Sequence, residues 1–214
     1  MKQVIGAWNE RKRIHVSGQA WKVLGATALT NFVVGLDISI TNVAIPDLQR
    51  MFQNASTSDL SWAVTFYLVI YAGFLIVAGR WADRYGGLRV LNIGLVCFVV
   101  GACLAALAPS VLSLIAMKGL QGLGAAIMTP ASLGIAIAAW PSERRASAVA
   151  IWSSTFAISS AVGPVLGGLL IELGSWRWAF SLNIPIGLLA LILGSRILPQ
   201  NKRDPGTGTP DLLG

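Results

Sequence analysis

Six long apolar runs, separated by short charged islands, constrain the fold of this chain more than any other feature. Residues 60–78 and 90–108 carry no charged side chain, and residues 111–139 carry one. The other runs are residues 23–45 with one charge, and residues 148–171 and 178–195 with none. A helix that crosses ~30 Å of hydrocarbon at ~1.5 Å per residue needs about 20 such residues. We therefore predict an all-α membrane protein with six transmembrane helices.

Two other fold classes fit the composition poorly. The chain is 55% hydrophobic and 12% charged, whereas about a quarter of the residues in a soluble domain are charged. Buried core helices of a soluble protein rarely reach this length, and six consecutive ones would be needed. Membrane-spanning strands alternate in polarity and are about half as long.

The basic residues predict the orientation in the membrane. Of the 16 Lys and Arg residues, Arg50 and Arg177 fall in loops on one side and Lys118 falls within a span. All the others lie in the two tails and in the loops of the opposite side, which the positive-inside rule assigns to the cytoplasm. We expect a basic cytoplasmic tail at 1–20, a helical bundle at 21–198 and a cytoplasmic linker at 199–214. This asymmetry explains the net charge of +7, so no nucleic-acid partner is inferred.

No pattern in the chain is typical of an enzyme. There is no nucleophile elbow, phosphate-binding loop or cluster of metal ligands. Cys97 and Cys103 are six residues apart in one apolar run, so they point in different directions on a helix and are interpreted as packing residues. We expect neither a metal nor an organic cofactor.

Four short stretches resemble the signatures of one transporter family. GRWADRYG at 79–86 fits the pattern G-x-x-x-D-[RK]-x-G, and LDISITNVAIP at 36–46 resembles a first-helix stretch. KGLQGLGAA at 118–126 and GPVLGG at 163–168 resemble the signatures of the fourth and fifth helices. In this order, they are similar to the major facilitator superfamily, in particular to its fourteen-span drug:proton antiporters. The resemblance implies a bundle built as a 3+3 inverted repeat.

The chain departs from the family pattern in several places. Lys118 stands where the family has arginine, Ser159 replaces a glycine, and Gly87 and Leu88 replace a basic pair. Family members have twelve or fourteen spans, and residues 210–214 resemble the start of a seventh helix. We therefore expect this chain to be the amino-terminal six-helix half of a transporter, completed by a carboxy-terminal half or by a second copy.

Asp37 is the first candidate for a proton-coupling site. It lies nine residues before Pro46, about 13 Å along the helix, and an acid at such depth usually faces a cavity or a partner. Burial favours the protonated form of a carboxyl group. Lys118 lies nine residues after Pro109, and the inverted repeat implied by the resemblance places it opposite Asp37 on a central cavity. The alternative is a static ion pair that only orients the helices.

The charged turn after the second run predicts an inner gate. Asp83 could pair with nearby arginines, and glycines there allow a tight turn and close helix contact. The alternative is a plain solvated turn. The gate candidates are Gly79, Asp83, Arg84, Gly86, Arg89, Arg144 and Arg145.

The fifth run predicts a bent and closely packed helix. Pro164 lacks the amide hydrogen that would bond to Ser160, and small residues beside it allow close packing. The alternative is a tolerated proline with ordinary packing. The kink candidates are Gly163, Pro164, Gly167 and Gly168. Three polar residues within spans, Thr41, Asn42 and Gln121, could line a cavity or form hydrogen bonds between helices.

The resemblance implies transport of small molecules across the plasma membrane. The expected activity is proton-coupled efflux of drugs or metabolites by alternating access, driven by the proton gradient. Export of amino acids or other polar metabolites is a second possibility within this class. The alternative outside it is a half-bundle that does not transport and oligomerises in the membrane.

Overall fold

Residues 16–198 of the chain are described by a computed structural model. In this part, six helical spans are long and apolar enough to cross a membrane, which confirms the predicted fold class. The helices are α1 Gly18–Met51, α2 Thr57–Tyr85, α3 Gly87–Ala106, α4 Val111–Ala138, α5 Arg145–Leu173, α6 Trp176–Ser181 and α7 Asn183–Ile197. A 3-10 turn, Ser142–Arg144, precedes α5. Most of the predicted basic tail and the predicted linker at 199–214 lie outside the described residues.

Serine side chains cap the amino-terminal ends of three helices. Ser17 accepts a hydrogen bond from the amide of Ala20 and so caps α1. The hydroxyl of Ser56 accepts from the Asp59 amide, and the Asp59 carboxylate accepts from the Ser56 amide, which forms a capping box at α2. Ser110 caps α4 in the same way. These contacts satisfy amide groups that a helix start leaves without partners, so the predicted spans have defined first turns.

The charged turn GRWADRYGG contains the sharpest connection. α2 ends at Tyr85 and α3 begins at Gly87, so Gly86 alone joins them. Its φ of 93° lies in the region that favours glycine. The tight turn predicted from sequence is therefore present.

The packing of the helices follows an inverted repeat. α1 packs along α5, and α4 packs along α2. Spans one, two and three correspond in this order to spans four, five and six. The contact of α1 with α5 therefore corresponds to the contact of α4 with α2. Asn31 donates to the carbonyl of Trp152, and Ser39 donates to the carbonyl of Ser160, with the same separation of 121 residues. This constant offset means that α1 and α5 run parallel.

The sixth apolar run forms one span, Trp176–Ile197, as predicted, and its helical hydrogen bonding is broken at Leu182. Leu182 separates α6 from α7. Pro185 lacks the amide hydrogen that a continuous helix would donate to the Ser181 carbonyl. Asn183 consequently stands at the first position of α7.

Glycines bring two helices against the middle of α4 at backbone distance. A Cβ added to Gly101 of α3 would lie 2.8 Å from the backbone nitrogen of Gln121. A Cβ added to Gly122 of α4 would lie 2.6 Å from the carbonyl oxygen of Tyr67 in α2. Such distances leave no room for a side chain, so these glycines hold Gln121 and its neighbour Lys118 deep inside the bundle.

Candidate functional site

The centre of the bundle contains an ion pair between α1 and α4. Lys118 Nζ lies 2.7 Å from Asp37 Oδ1 and 2.9 Å from Asp37 Oδ2. Each residue is 1% exposed. One ammonium group therefore bridges both oxygens of one carboxylate, and the paired charges largely cancel in a region where an isolated charge would be costly.

Two side-chain amides complete the first layer of contacts around the ion pair. Gln121 Nε2 donates to Asp37 Oδ1 at 2.9 Å, while Gln121 Oε1 accepts from Lys118 Nζ at 3.0 Å. Asn183 Nδ2 donates to the same carboxylate oxygen, Asp37 Oδ1, at 2.8 Å. We call Asp37, Lys118, Gln121 and Asn183 the polar centre. Its members come from α1, α4 and α7, so three separate spans must pack correctly to assemble it.

Aromatic rings enclose the ammonium group. Lys118 Nζ lies 4.9 Å from the centre of the Phe180 ring and 5.5 Å from that of Tyr67. At these distances the negative ring faces attract a cation. Tyr67 also stacks on Tyr71, with ring centres 6.3 Å apart. The rings keep water from the amine while stabilising its charge.

The polar centre is enclosed, whereas the sequence predicts that Asp37 and Lys118 line a central cavity. All four members are buried, because the two amides and the rings of Tyr67 and Phe180 cover the charges. Access by water therefore requires movement of the surrounding spans.

Of the three cavity-lining candidates, only Gln121 forms hydrogen bonds between helices. Thr41 Oγ1 donates to the backbone carbonyl of Asp37 at 2.7 Å, and Asn42 Nδ2 donates to that of Ile38 at 2.9 Å. These are bonds within one helix turn. The Asn42 side chain is exposed and that of Thr41 is buried. Of the two alternatives given for Gln121, lining a cavity or bonding between helices, the interhelical hydrogen bond is the one observed.

The proline of α5 has a partner in α1. Since Pro164 has no amide hydrogen, the Ser160 carbonyl loses its normal partner in the helix. Ser39 Oγ of α1 donates to this carbonyl at 3.0 Å. α5 continues through the proline as one helix, Arg145–Leu173. The helix therefore keeps its carbonyl satisfied by a hydroxyl from its neighbour.

The glycines near this proline differ in how closely they are packed. A Cβ added to Gly163 would lie 2.5 Å from Ser39 Cβ, and one added to Gly167 would lie 3.3 Å from Ile40 Cγ1. A Cβ added to Gly168 would meet nothing within 4 Å. Close packing therefore involves Gly163 and Gly167, on the face of α5 that contacts α1.

The inner-gate candidates lie at one end of the bundle and are mostly exposed. Within residues 16–198, Asp83 makes no ion pair. Arg84 lies over the ring of Tyr85, with its Cζ 5.4 Å from the ring centre. A Cβ added to Gly79 would make only ordinary contact with Pro130, at 3.8 Å. The described part of the chain thus contains the tight turn at Gly86, without the Asp83–arginine pairing. Arg89 and Arg145 are exposed, and Arg144 is partly buried.

Sequence reasoning missed the contribution of Asn183. The residue is not among the site candidates predicted from sequence, although its amide contacts the proton-coupling candidate directly. A polar side chain within an otherwise apolar run was the available signal. Its proximity to Asp37, 146 residues earlier, could not be read from the sequence.

The donor set of the polar centre suits proton and cation chemistry better than metal binding. Among the described residues, no group of three His, Cys, Asp or Glu side chains is placed to hold a metal ion. The centre instead joins one carboxylate, one amine and two amides. In such a set the carboxylate can exchange one positively charged partner, the ammonium group, for another, a proton.

Six apolar spans, packed as an inverted repeat around a buried ion pair, define the class of polytopic membrane proteins with a transporter fold. Residues 27–211 match the profile described as "Major Facilitator Superfamily". The chain belongs to this superfamily.

Two curated relatives illustrate the sequence similarity. The chain is 37% identical over 185 residues to the methylenomycin A resistance protein of Bacillus subtilis, covering 86% of this chain and 39% of that protein. It is 34% identical over 197 residues to the tetracenomycin C resistance and export protein of Streptomyces glaucescens, covering 92% and 36%. The chain therefore spans less than half the length of these relatives.

The fold is also similar to a solved structure. The proton:xylose symporter XylE bound to 6-bromo-6-deoxy-D-glucose matches with a TM-score of 0.76 and 18% identity, over 87% of this chain and 46% of that one. At this level of identity the similarity concerns the fold alone.

Proposed function

We propose that this chain forms the amino-terminal half of a proton-coupled efflux transporter that exports small, amphipathic molecules by alternating access. Membership of the superfamily and the printed names of the two resistance-protein relatives support this proposal. The observation that carries it is the enclosed ion pair between Asp37 and Lys118 at the middle of the bundle.

The chemistry follows from the charges of the polar centre. In the enclosed state Asp37 is a carboxylate that accepts hydrogen bonds from Lys118, Gln121 and Asn183. When the bundle opens to one side, water reaches Asp37, and a proton that binds there removes its charge. The attraction to Lys118 is then lost, and the neighbouring helices are free to rearrange. Release of the proton on the other side restores the pair, which couples proton movement to the conformational cycle.

The packing of α1 against α5 indicates which helices would move together with the ion pair. α1 carries Asp37 and contacts α5 through Ser39 and Gly163, so a shift of the ion pair reaches α5 directly. At the inner side, Asp83 and the arginines at positions 84, 89, 144 and 145 would close the gate against residues beyond 16–198.

We also propose that the protein resides in the plasma membrane with both termini in the cytoplasm. The distribution of Lys and Arg supports this orientation. In a chain without Cys97 and Cys103, Asn54→Cys should react with a membrane-impermeant thiol reagent in intact cells. Ser142→Cys should react only after permeabilisation. The reverse labelling pattern contradicts the orientation.

Transport can be tested in inverted membrane vesicles that contain the natural full-length protein. A proton gradient that is acidic inside the vesicles should drive accumulation of a fluorescent amphipathic cation such as ethidium, because protons leave as the cation enters. Asp37→Asn removes the titratable group and should reduce this accumulation at least ~10-fold, since proton coupling then has no binding site. Glu172→Gln makes the same change of acid to amide at an exposed position of α5 and should retain it.

Other outcomes separate the competing hypotheses. Proton-driven uptake of an amino acid in place of ethidium would favour export of polar metabolites. Equal activity of Asp37→Asn and the unchanged protein would contradict the role of Asp37. If residues 1–214 alone self-associate and show no proton-driven flux, a half-bundle without transport activity describes that chain.

A further inference from the structure

Two buried polar atoms beside the ion pair have no hydrogen-bond partner in the described residues. They are Asn183 Oδ1 and the hydroxyl oxygen of Tyr67. Asn183 is 0% exposed and Tyr67 is 1% exposed. A buried polar atom without a partner is costly. The Asn183 oxygen belongs to the same amide group whose nitrogen holds Asp37.

The two amides of the polar centre are not equivalent. Gln121 uses both ends of its amide, donating to Asp37 and accepting from Lys118. Rotation of this amide would lose both contacts. Asn183 uses only its nitrogen, which donates to Asp37 Oδ1, and its oxygen is unoccupied. Asn183 can therefore turn its oxygen towards Asp37 at the cost of one hydrogen bond.

The two protonation states of a carboxyl group need different partners. A carboxylate only accepts hydrogen bonds, whereas a carboxylic acid also donates one. We propose that Asn183 is a positioning residue that serves both states of Asp37. Its Nδ2 donates to the carboxylate, and its Oδ1 accepts the O–H of the carboxylic acid after the amide rotates. This inference rests on the proposed proton binding at Asp37.

The proton balance of this step is simple. A proton from water forms the O–H bond at Asp37, and the carboxylate loses its negative charge. Lys118 keeps its proton and loses the ionic contact, while Gln121 Oε1 still accepts from it. The new O–H group meets the Asn183 oxygen, so the protonated acid stays satisfied inside the bundle. Without such an acceptor, the acid form would leave a donor buried and unpaired.

The ionisable groups around Asp37 leave few competitors for this role. Lys118 from α4 and Tyr67 from α2 face the polar centre.

The other helices carry their ionisable side chains elsewhere. α5 carries ionisable side chains only near its two ends, at Arg145 and Glu172. Arg177 of α6 contacts the Ala108 carbonyl. In α3, Arg89 lies in the first turn and Cys97 donates to the Leu120 carbonyl, while Cys103 makes no hydrogen bond or ion pair among the described residues. Arg196 lies in the last turn of α7. The hydroxyl oxygen of Tyr67 is therefore the competing acceptor for the O–H of protonated Asp37, so a variant of Tyr67 serves as a control.

Infrared difference spectroscopy of the natural full-length protein in membranes, between high and low pH, tests the inference. The carboxylic C=O band of protonated Asp37 is identified by its loss in Asp37→Asn. In the unchanged protein, an amide C=O band that shifts with 13C-labelled asparagine should change together with the acid band. Asn183 is the asparagine of residues 16–198 that contacts a carboxylate, so the coupled change can be observed without any substitution of Asn183.

Variants assign the signal. In Asn183→Leu the amide change should disappear, and the acid C=O band should move to the frequency of a less strongly hydrogen-bonded acid. Gln121→Leu, which also removes one donor to Asp37, and Tyr67→Phe should retain the coupled amide change. An acid band that titrates without an asparagine signal overturns the inference, as does the same band shift in Gln121→Leu or Tyr67→Phe.

The assay distinguishes failure of this inference from failure of the proposed function. It needs neither substrate nor flux, so a protein that does not transport can still show the coupled bands. Absence of any Asp37 acid band across the accessible pH range contradicts proton binding itself. Presence of that band without the amide change contradicts only the role of Asn183.

Discussion

Lys118 Nζ lies 2.7 Å from Asp37 Oδ1 inside the bundle, although 81 residues separate the two in sequence. The pair joins α1 of the first three-helix repeat to α4 of the second. Its burial means that each charge depends on the other, because neither has water to solvate it. Removing one charge is therefore expected to cost more than removing both.

Lys118→Met should destabilise the protein by about 3–5 kcal/mol, since it leaves Asp37 as an unpaired buried charge. The double variant Asp37→Asn/Lys118→Met should recover most of this loss. Thermal unfolding in detergent, followed by tryptophan fluorescence, measures both. Arg89→Met removes an exposed cation and should change little. A double variant less stable than Lys118→Met would contradict the interpretation.

Ser39→Ala should lower stability by about 1–3 kcal/mol, because the Ser160 carbonyl freed by Pro164 then lacks a donor. In a Pro164→Ala background the helix regains its own amide donor, so the same Ser39→Ala change should cost less. Unfolding of the four proteins in this cycle gives the coupling energy. Ser154→Ala is the control, because Ser154 bonds within its own helix, to Ile151. Additive effects would show that Ser39 does not replace the missing amide.

Gly163→Ala should destabilise the α1–α5 contact by about 1–3 kcal/mol, because the new methyl group would overlap Ser39. Gly168→Ala has open space around it and should be neutral or slightly stabilising, given the higher helix propensity of alanine. Melting temperatures of the two variants in one detergent make the comparison. Equal effects would contradict the close crossing at Gly163.

Asp83→Asn should change the stability of the six-helix unit by less than about 0.5 kcal/mol. Asp83 is exposed and makes no ion pair within residues 16–198, and exposed charges contribute little. Gly86→Ala in the same turn should be destabilising by about 1–3 kcal/mol, since the φ of 93° and ψ of 129° at this position lie in a region that side chains rarely adopt. Chemical unfolding of residues 1–214 measures both effects. A large loss in Asp83→Asn would reveal a structural partner for the carboxylate.

The sequence by itself determined the number and type of the membrane spans. The apolar runs near residues 60–78 and 111–139 each became one helix, because a chain in lipid must satisfy its backbone hydrogen bonds within each span. The glycine within the charged turn, Gly86, predicted the sharp connection there for an equally local reason. The importance of Asp37 also followed from local physics, since a charge at that depth is expensive.

Tertiary structure decided the partners of those residues. The apolar pattern of the sixth run gave no sign that Asn183 would face Asp37, because the contact depends on how α7 packs against α1. The enclosure of the ion pair likewise depends on Tyr67 and Phe180 from two other helices. Hydropathy is a property of each segment, whereas helix packing depends on shape complementarity between segments far apart in the chain. The spans are thus encoded locally, and the polar centre exists only once the helices assemble.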